Sequence, residues 1–213
     1  MIKIKKFTFN PIQENTYLLF DETRECIIVD AGCYFDYEKK ELDRFILENG
    51  LNPVLLVNTH CHFDHLLGVN HCRYKYKTNF LIPEGESSLV EHLVVQSDLF
   101  GVPTEPVDPA DGELKEGGKI QFGNSELEII KADGHSPGGL VFYHPGQKFL
   151  LAGDVLFYGS IGRTDLPGGS YERLANNIRT KLLVLPPETT VYCGHGPETT
   201  IGFEKKSNPF LTD

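Results

Sequence analysis

Asn58-Thr59-His60-Cys61-His62-Phe63-Asp64-His65 places three imidazoles and one carboxylate within six residues. The segment follows Val54-Leu55-Leu56-Val57, an apolar run opened by Pro53 that is too short for a helix and reads as a strand buried on both faces. Loops at strand ends are where functional sites are usually built. Three more residues sit in similar settings, each near glycine and after a short apolar run: His135 in the stretch 133–139, Asp154 after Leu150-Leu151-Ala152-Gly153, and His195 after Val191-Tyr192-Cys193-Gly194.

A borderline-soft divalent ion takes neutral imidazole and carboxylate ligands, and a catalytic ion keeps one position open for water or substrate. His60, His62, Asp64, His65, His135, Asp154 and His195 are too many donors for one such ion and suit two, with one carboxylate shared. His60 and His62, at extended spacing, point to one side of the strand end, while Asp64 and His65 turn toward a neighbouring ion. One loop then serves both metals. His71, His92 and His144 read as ordinary solvated or hydrogen-bonded side chains. Cys61 and Cys193, close to proposed ligands, read as small packing residues, because the nitrogen and oxygen set is complete without sulfur.

Outward from this centre, the first thirty residues carry the β-rich runs Phe7-Thr8-Phe9, Thr16-Tyr17-Leu18-Leu19-Phe20 and Cys26-Ile27-Ile28-Val29-Asp30, separated by turn residues, as in a β-meander. Leu42, Phe45 and Ile46 then fall at helical spacing between Asp36, a candidate N-cap, and the stop Asn49-Gly50. Asn79 to Ile82 reads as a strand, Ser87 to Phe100 as one helix, and the proline-rich stretch Gly101 to Gly112 as an exposed loop. In the second half, Leu127 and Ile129 alternate with Glu126 and Glu128, and 140–144 and 148–153 read as strands. Leu174, Ile178 and Leu182 recur every four residues, and the C-terminal stretch from Ile201 reads as loop or extension. No repeat or linker divides the chain, so residues 1–213 are expected to form one domain.

Composition narrows the function classes. Thirty acidic against twenty basic side chains give a formal charge of −10, which disfavours gripping a nucleic acid through its phosphates. Nowhere is an apolar run long enough to cross a bilayer, and the N-terminus builds no signal-peptide core, so neither membrane insertion nor secretion is expected. Five scattered cysteines without a CxxC pair fit a reducing cytoplasm.

The HxHxDH cluster His60 to His65, followed in order by His135, Asp154 and His195, resembles the metallo-β-lactamase-fold hydrolases, and the resemblance covers nearly the whole chain. Within that family, the stretches Gly153 to Gly169, Val191 to Thr200 and Lys205 to Phe210 look most like the glyoxalase II-like branch, particularly its short bacterial members. The resemblance implies an α/β fold, a four-layer αββα sandwich of two mixed sheets flanked by helices. It further implies one metal on His60, His62 and His135, a second on Asp64, His65 and His195, and Asp154 bridging, with Asp64 and Asp154 as the catalytic carboxylates. Asp30 resembles the family's structural aspartate behind the site. Zinc is the expected metal, with iron or manganese as alternatives.

Two cations lower the pKa of the water between them, so hydroxide is available near neutral pH for attack on a polarised carbonyl. A thioester suits this chemistry because its leaving thiolate, with a pKa near ~8.5, departs without a dedicated acid. With the resemblance, this favours hydrolysis of an S-2-hydroxyacylglutathione such as lactoylglutathione. Arg163, Lys205 and Lys206 are candidates to meet glutathione carboxylates. The longer glyoxalase II enzymes carry a further helical domain, whereas eighteen residues follow His195 here, and Pro197 stands where they often place a glutathione-contacting tyrosine. The alternative is a mononuclear iron persulfide dioxygenase, since that group shares the fold, the histidine motif and a segment like Gly162 to Asp165. Oligomeric state is not legible.

Overall fold

The computed structural model describes residues 1–211. The chain opens as an antiparallel meander of β1 (Lys3–Phe9), β2 (Glu14–Phe20) and β3 (Glu25–Val29). Helix α1 (Asp36–Glu48) then leads to β4 (Asn52–Val57), and α2 (Val69–Tyr76) to β5 (Asn79–Pro83), both strands in parallel pairing. Two short helices, α3 (Ser87–Glu91) and α4 (Leu93–Leu99), precede β6 (Gly112–Leu114), the last strand of a six-stranded mixed sheet in chain order.

The second sheet contains β7 (Lys119–Phe122), β8 (Ser125–Lys131), β9 (Leu140–His144) and β10 (Phe149–Gly153). A ribbon of β11 (Leu156–Phe157) and β12 (Ser160–Ile161) follows, then helix α5 (Tyr171–Asn177), which runs into one π-helical turn at Ile178–Leu182. Strands β13 (Thr190–Cys193) and β14 (Thr199–Thr200) complete the sheet in the order β14-β13-β10-β9-β8-β7, with β10 and β13 parallel, and helix α6 (Ile201–Ser207) ends the fold.

Three separate apolar cores explain the layering. On β2 and β3 successive side chains alternate: Leu18 and Ile28 face α1, packing with Leu42 and Ile46, whereas Tyr17, Leu19, Ile27 and Val29 face the second sheet. There they meet Leu127, Ile129, Phe142 and Leu151. The opposite faces of β9 and β10 supply Val141, Leu150 and Ala152 to a third core closed by Leu174, Ile178 and Leu182. Helix, sheet, sheet and helix therefore stack in four layers, the αββα sandwich expected.

Several local expectations need correction. Asp36 is the first helical residue of α1 and not its cap. Phe35 holds the cap position, and the buried Glu38 carboxylate accepts from the Phe35 and Tyr34 amides at 3.0 and 2.7 Å. The helix expected over Ser87 to Phe100 breaks at His92, which lies at φ −99°, ψ 16°. The proline-rich stretch is tied down: Val102 is buried, and the Arg73 guanidinium donates to the Asp108 and Pro109 carbonyls and to Asp111. The C-terminus is helical, because the Thr200 hydroxyl accepts from the Phe203 amide as N-cap and Ile201 and Glu204 are buried. Among the described residues no helix is long and apolar enough to cross a membrane.

Candidate metal centre

The seven expected donors come from both sheets and meet at one edge of the sandwich. His60 to His65 leave the end of β4, His135 follows β8, Asp154 follows β10 and His195 follows β13. Buried polar side chains fix the HxHxDH turn and the His195 loop. The Asn58 amide donates to the carbonyls of His60 and His65 at 3.0 and 2.9 Å, closing the HxHxDH turn on itself. Asn10 donates to the Asp64 carbonyl at 3.0 Å, and Asn15 and Tyr17 on β2 donate to the Cys193 carbonyl beside His195.

Each anchored imidazole is turned by its Nδ1. His135 Nδ1 donates to the Arg163 carbonyl at 2.8 Å and His195 Nδ1 to the Gln13 carbonyl at 3.1 Å, which turns Nε2 of both rings inward, that of His195 to 3.1 Å from Asp64 Oδ2. His60 Nδ1 lies 3.2 Å from the Thr59 hydroxyl, whose own proton goes to Asp30 at 2.7 Å, so its Nε2 is likewise presented inward. His62 differs: its Nδ1 lies 2.9 Å from His135 Nε2. His65 turns Nδ1 to Asp30, at 3.3 Å from Oδ2, and Nε2 toward Asp154 and Asp64 at 3.5 and 3.7 Å.

The donors converge in overlapping groups. One atom each from His60, His62 and His135, from His60, His65 and Asp154, and from Asp64, His65 and His195 lies within 4.8 Å of the others in its group. Asp154 stands between them. Its Oδ2 is 3.6 Å from His135 Nε2 and 3.5 Å from His195 Nε2, while Oδ1 is 3.5 Å from His65 Nε2.

Burial and the neighbouring His65 push His60 well below the ordinary histidine range, and burial with His135 lowers His62 to about 4, so both imidazoles are neutral at pH 7. Burial alone would raise Asp154, but the imidazoles of His65 and His195 outweigh it and hold the carboxyl well below its usual range. Asp64 is lowered in the same way, against its burial, by His65 and His195. His65 Nε2, His60 Nε2 and Asp154 Oδ1 are buried without a hydrogen-bond partner. Native proteins rarely leave such atoms unmet, and all three face the same small space. This nitrogen and oxygen donor set fits divalent cations.

Other expected residues fall differently. Cys61 and Cys193 are buried free thiols outside the donor groups, and burial pushes Cys193 up to about 12, so neither offers a thiolate. Arg163 lines the cleft over the centre, but its guanidinium is held by Asp165 through two bonds of 2.7 Å. Lys205 and Lys206 do not line that cleft, and Lys205 Nζ donates to the Leu183 carbonyl at 3.3 Å. His71 is paired with Asp43 and His144 stacks on Phe149, as ordinary side chains, whereas His92 lies at the cleft.

The sequence reading missed two acids. Glu86 is fully buried and accepts from the amides of Cys61 and Gly138 at 2.5 and 2.8 Å and from the Ser136 hydroxyl, fastening the His60–His62 loop to the His135 loop. Glu14 is fully buried too, bonded to Thr16 and 3.9 Å from His65 Nδ1. Nothing in their surroundings in sequence marks them, since single glutamates among polar or small residues usually lie in solvent.

A sandwich of this topology with histidines and aspartates gathered at one edge defines a metal-dependent hydrolase fold. A model of the metallo-beta-lactamase superfamily matches residues 9–195, and the chain belongs to that superfamily. It is 37% identical over 201 residues, 93% of each chain, to hydroxyacylglutathione hydrolase GloC of Haemophilus influenzae. Among solved structures it resembles BLEG-1 B3 metallo-beta-lactamase at TM-score 0.91 and 36% identity, covering 99% of this chain and 100% of that one. TTHA1623 in a di-iron-bound form follows at TM-score 0.88 and 33% identity, covering 97% and 100%.

Proposed function

We propose that this superfamily metallo-hydrolase holds two divalent ions and hydrolyses a thioester, with S-2-hydroxyacylglutathiones of the lactoylglutathione type as the first compounds to test. The observation that carries the two-ion reading is the position of Asp154, whose carboxylate oxygens lie 3.5 to 3.6 Å from imidazoles on both sides. His60, His62 and His135 would hold one ion and Asp64, His65 and His195 the other, with Asp154 shared. When bound, such ions supply an acidified water and polarise the acyl oxygen. Zinc, iron or manganese suits the donors, and the di-iron neighbour supports iron as readily as zinc.

The chain's own residues do the positioning. Backbone carbonyls of Arg163 and Gln13 keep His135 and His195 in the tautomer that presents Nε2. Asp30 takes both protons of Thr59 and faces His65 Nδ1, holding that ring in place. Hydrolysis joins the water oxygen to the acyl carbon and breaks the carbon–sulfur bond, and a thiolate with a pKa near ~8.5 leaves without a proton donor. The name of the GloC relative supports a thioester. Five buried free thiols support a reducing compartment such as the cytoplasm.

The test pairs metal analysis of the purified protein with parallel assays of lactoylglutathione hydrolysis, oxygen uptake with glutathione persulfide, and hydrolysis of a chromogenic cephalosporin. About two ions per chain with thioester turnover is the expected result. A single iron with persulfide-dependent oxygen uptake, or turnover confined to the cephalosporin, overturns it.

A further inference from the structure

The metal-ligand edge is the floor of a cleft of about 420 Å³, within the range of small-molecule sites. One wall is unusual for a water-facing surface. Helix α4 buries Leu93 and Ser97 but leaves Val95 59% and Leu99 81% exposed, one turn apart on the same side. Phe100 continues that face and stacks on Phe63 of the ligand cluster, with ring centroids 4.9 Å apart. The apolar surface is therefore continuous from the metal ligands to the rim, and Ile12 and Leu166 also line the cleft.

Charge is arranged to match. Among the described residues lining the cleft, Arg163 is the one arginine or lysine, and Asp165 takes the Nε and Nη2 edge of its guanidinium. A carrier with two carboxylates finds a single cation here, already paired along one edge, in a chain of net charge −10. Contiguous exposed apolar surface beside a polar centre marks a place that something apolar covers.

We infer that the α4 wall of Val95, Leu99 and Phe100 seats an apolar arm of the substrate, so the preferred thioester carries a hydrocarbon chain in place of a short hydroxyacyl group. The inference rests on the thioester reading for the chemistry at the floor, but the wall selects for length by burial alone. Each methylene laid on it strengthens binding roughly three- to fourfold.

The experiment uses metal-loaded protein and two homologous series. S-alkyl-N-acetylcysteamine thioethers from ethyl to octyl, which cannot be hydrolysed, are titrated by calorimetry. The matching S-acyl thioesters are assayed for kcat/KM beside lactoylglutathione. Kd is expected to fall and kcat/KM to rise with each methylene, and Leu99→Asp, at a site exposed enough to leave folding intact, is expected to flatten both trends. Thioether binding that ignores chain length overturns the inference. So does a wild-type dimer that Leu99→Asp dissociates with no length dependence, since the face would then belong to a second copy. Length-dependent thioether binding with no thioester turned over keeps the apolar wall and sinks the thioester reading instead.

Discussion

Replacing Glu86 tests whether the centre is held from behind. Its carboxylate accepts the buried amides of Cys61 and Gly138 and the Ser136 hydroxyl, and Cys61 lies between His60 and His62. Glu86→Ala leaves two amides without an acceptor, at ~1–3 kcal/mol each, while Ser136 can rotate to another partner. Burial raises the Glu86 carboxyl, so removing it returns part of a desolvation cost, and a net loss of ~2–4 kcal/mol is expected. Glu86→Gln is the sharper variant. With its oxygen kept on Gly138 and Ser136, its amide group meets the Cys61 N–H donor to donor and displaces the chain between the two histidines. An outer-shell change of this kind typically costs ~10–100-fold in metal affinity. Zinc affinity by competition with a chromogenic chelator, and urea unfolding in excess chelator, separate the loss at the site from the loss in the fold. Wild-type zinc affinity in Glu86→Gln together with an unchanged urea midpoint in Glu86→Ala would refute the reasoning.

Asp154→Asn removes the shared charge and is expected to cut metal content below that of the parent and lower hydrolysis by more than the roughly 100-fold of an outer-shell change; metal analysis and turnover at pH 7 decide it. Gly194→Ala would set a methyl 2.2 Å from Asp154 Oδ1 and 2.9 Å from the Gly153 carbonyl carbon, so ~1–3 kcal/mol of overpacking is expected, read as a lower Tm and a smaller Tm gain on adding zinc. Asp21 joins the sheets at their far turns, accepting from Thr23, Asn124 and Ser125. Against its burial, these hydroxyls and amides lower its carboxyl from 3.8 to about 2. Its contribution is complete above the unfolded pKa and lost as pH falls through the folded one, and solvent at the turn limits it to ~1 kcal/mol. Asp21→Asn should therefore lower the urea midpoint at pH 6, by an amount that shrinks steadily as pH falls from about 4 through 2.

The convergence of the candidate donors was legible because metal chemistry restricts residue type as well as place. His60 to His65 announce themselves within six residues, and His135, Asp154 and His195 each follow a run that alternates or stays apolar in the manner of a strand. The meander and α1 were legible for the same reason of period. What escaped was decided by distant partners. Leu89, Val90 and Leu93 continue a helical period through His92, so the break there is invisible until α3 and α4 pack separately. Helix α6 is two turns long and takes its stability from Thr200 and from Glu204, whose carboxylate receives the Gly159 amide and the Thr199 hydroxyl.

Glu204 belongs to a pattern that also explains why the metal edge keeps its shape. Glu38 takes the amides of Asn10, Tyr34 and Phe35, Asp30 that of Thr59, Glu86 those of Cys61 and Gly138, and Glu204 that of Gly159. These acids are buried, and an ionised carboxylate inside a protein is tolerable only when donors replace its water. Backbone amides of the ligand-bearing and neighbouring loops provide those donors, so each loop is held by side-chain carboxyl groups in place of a regular ladder. Asp30 accepts the conformational cost openly, at φ +54°, to bring one oxygen to the Thr59 amide and the other to its hydroxyl. The orientation of the candidate ligands is thus set by the protein's own side chains, with the exposed apolar face of α4 beside them.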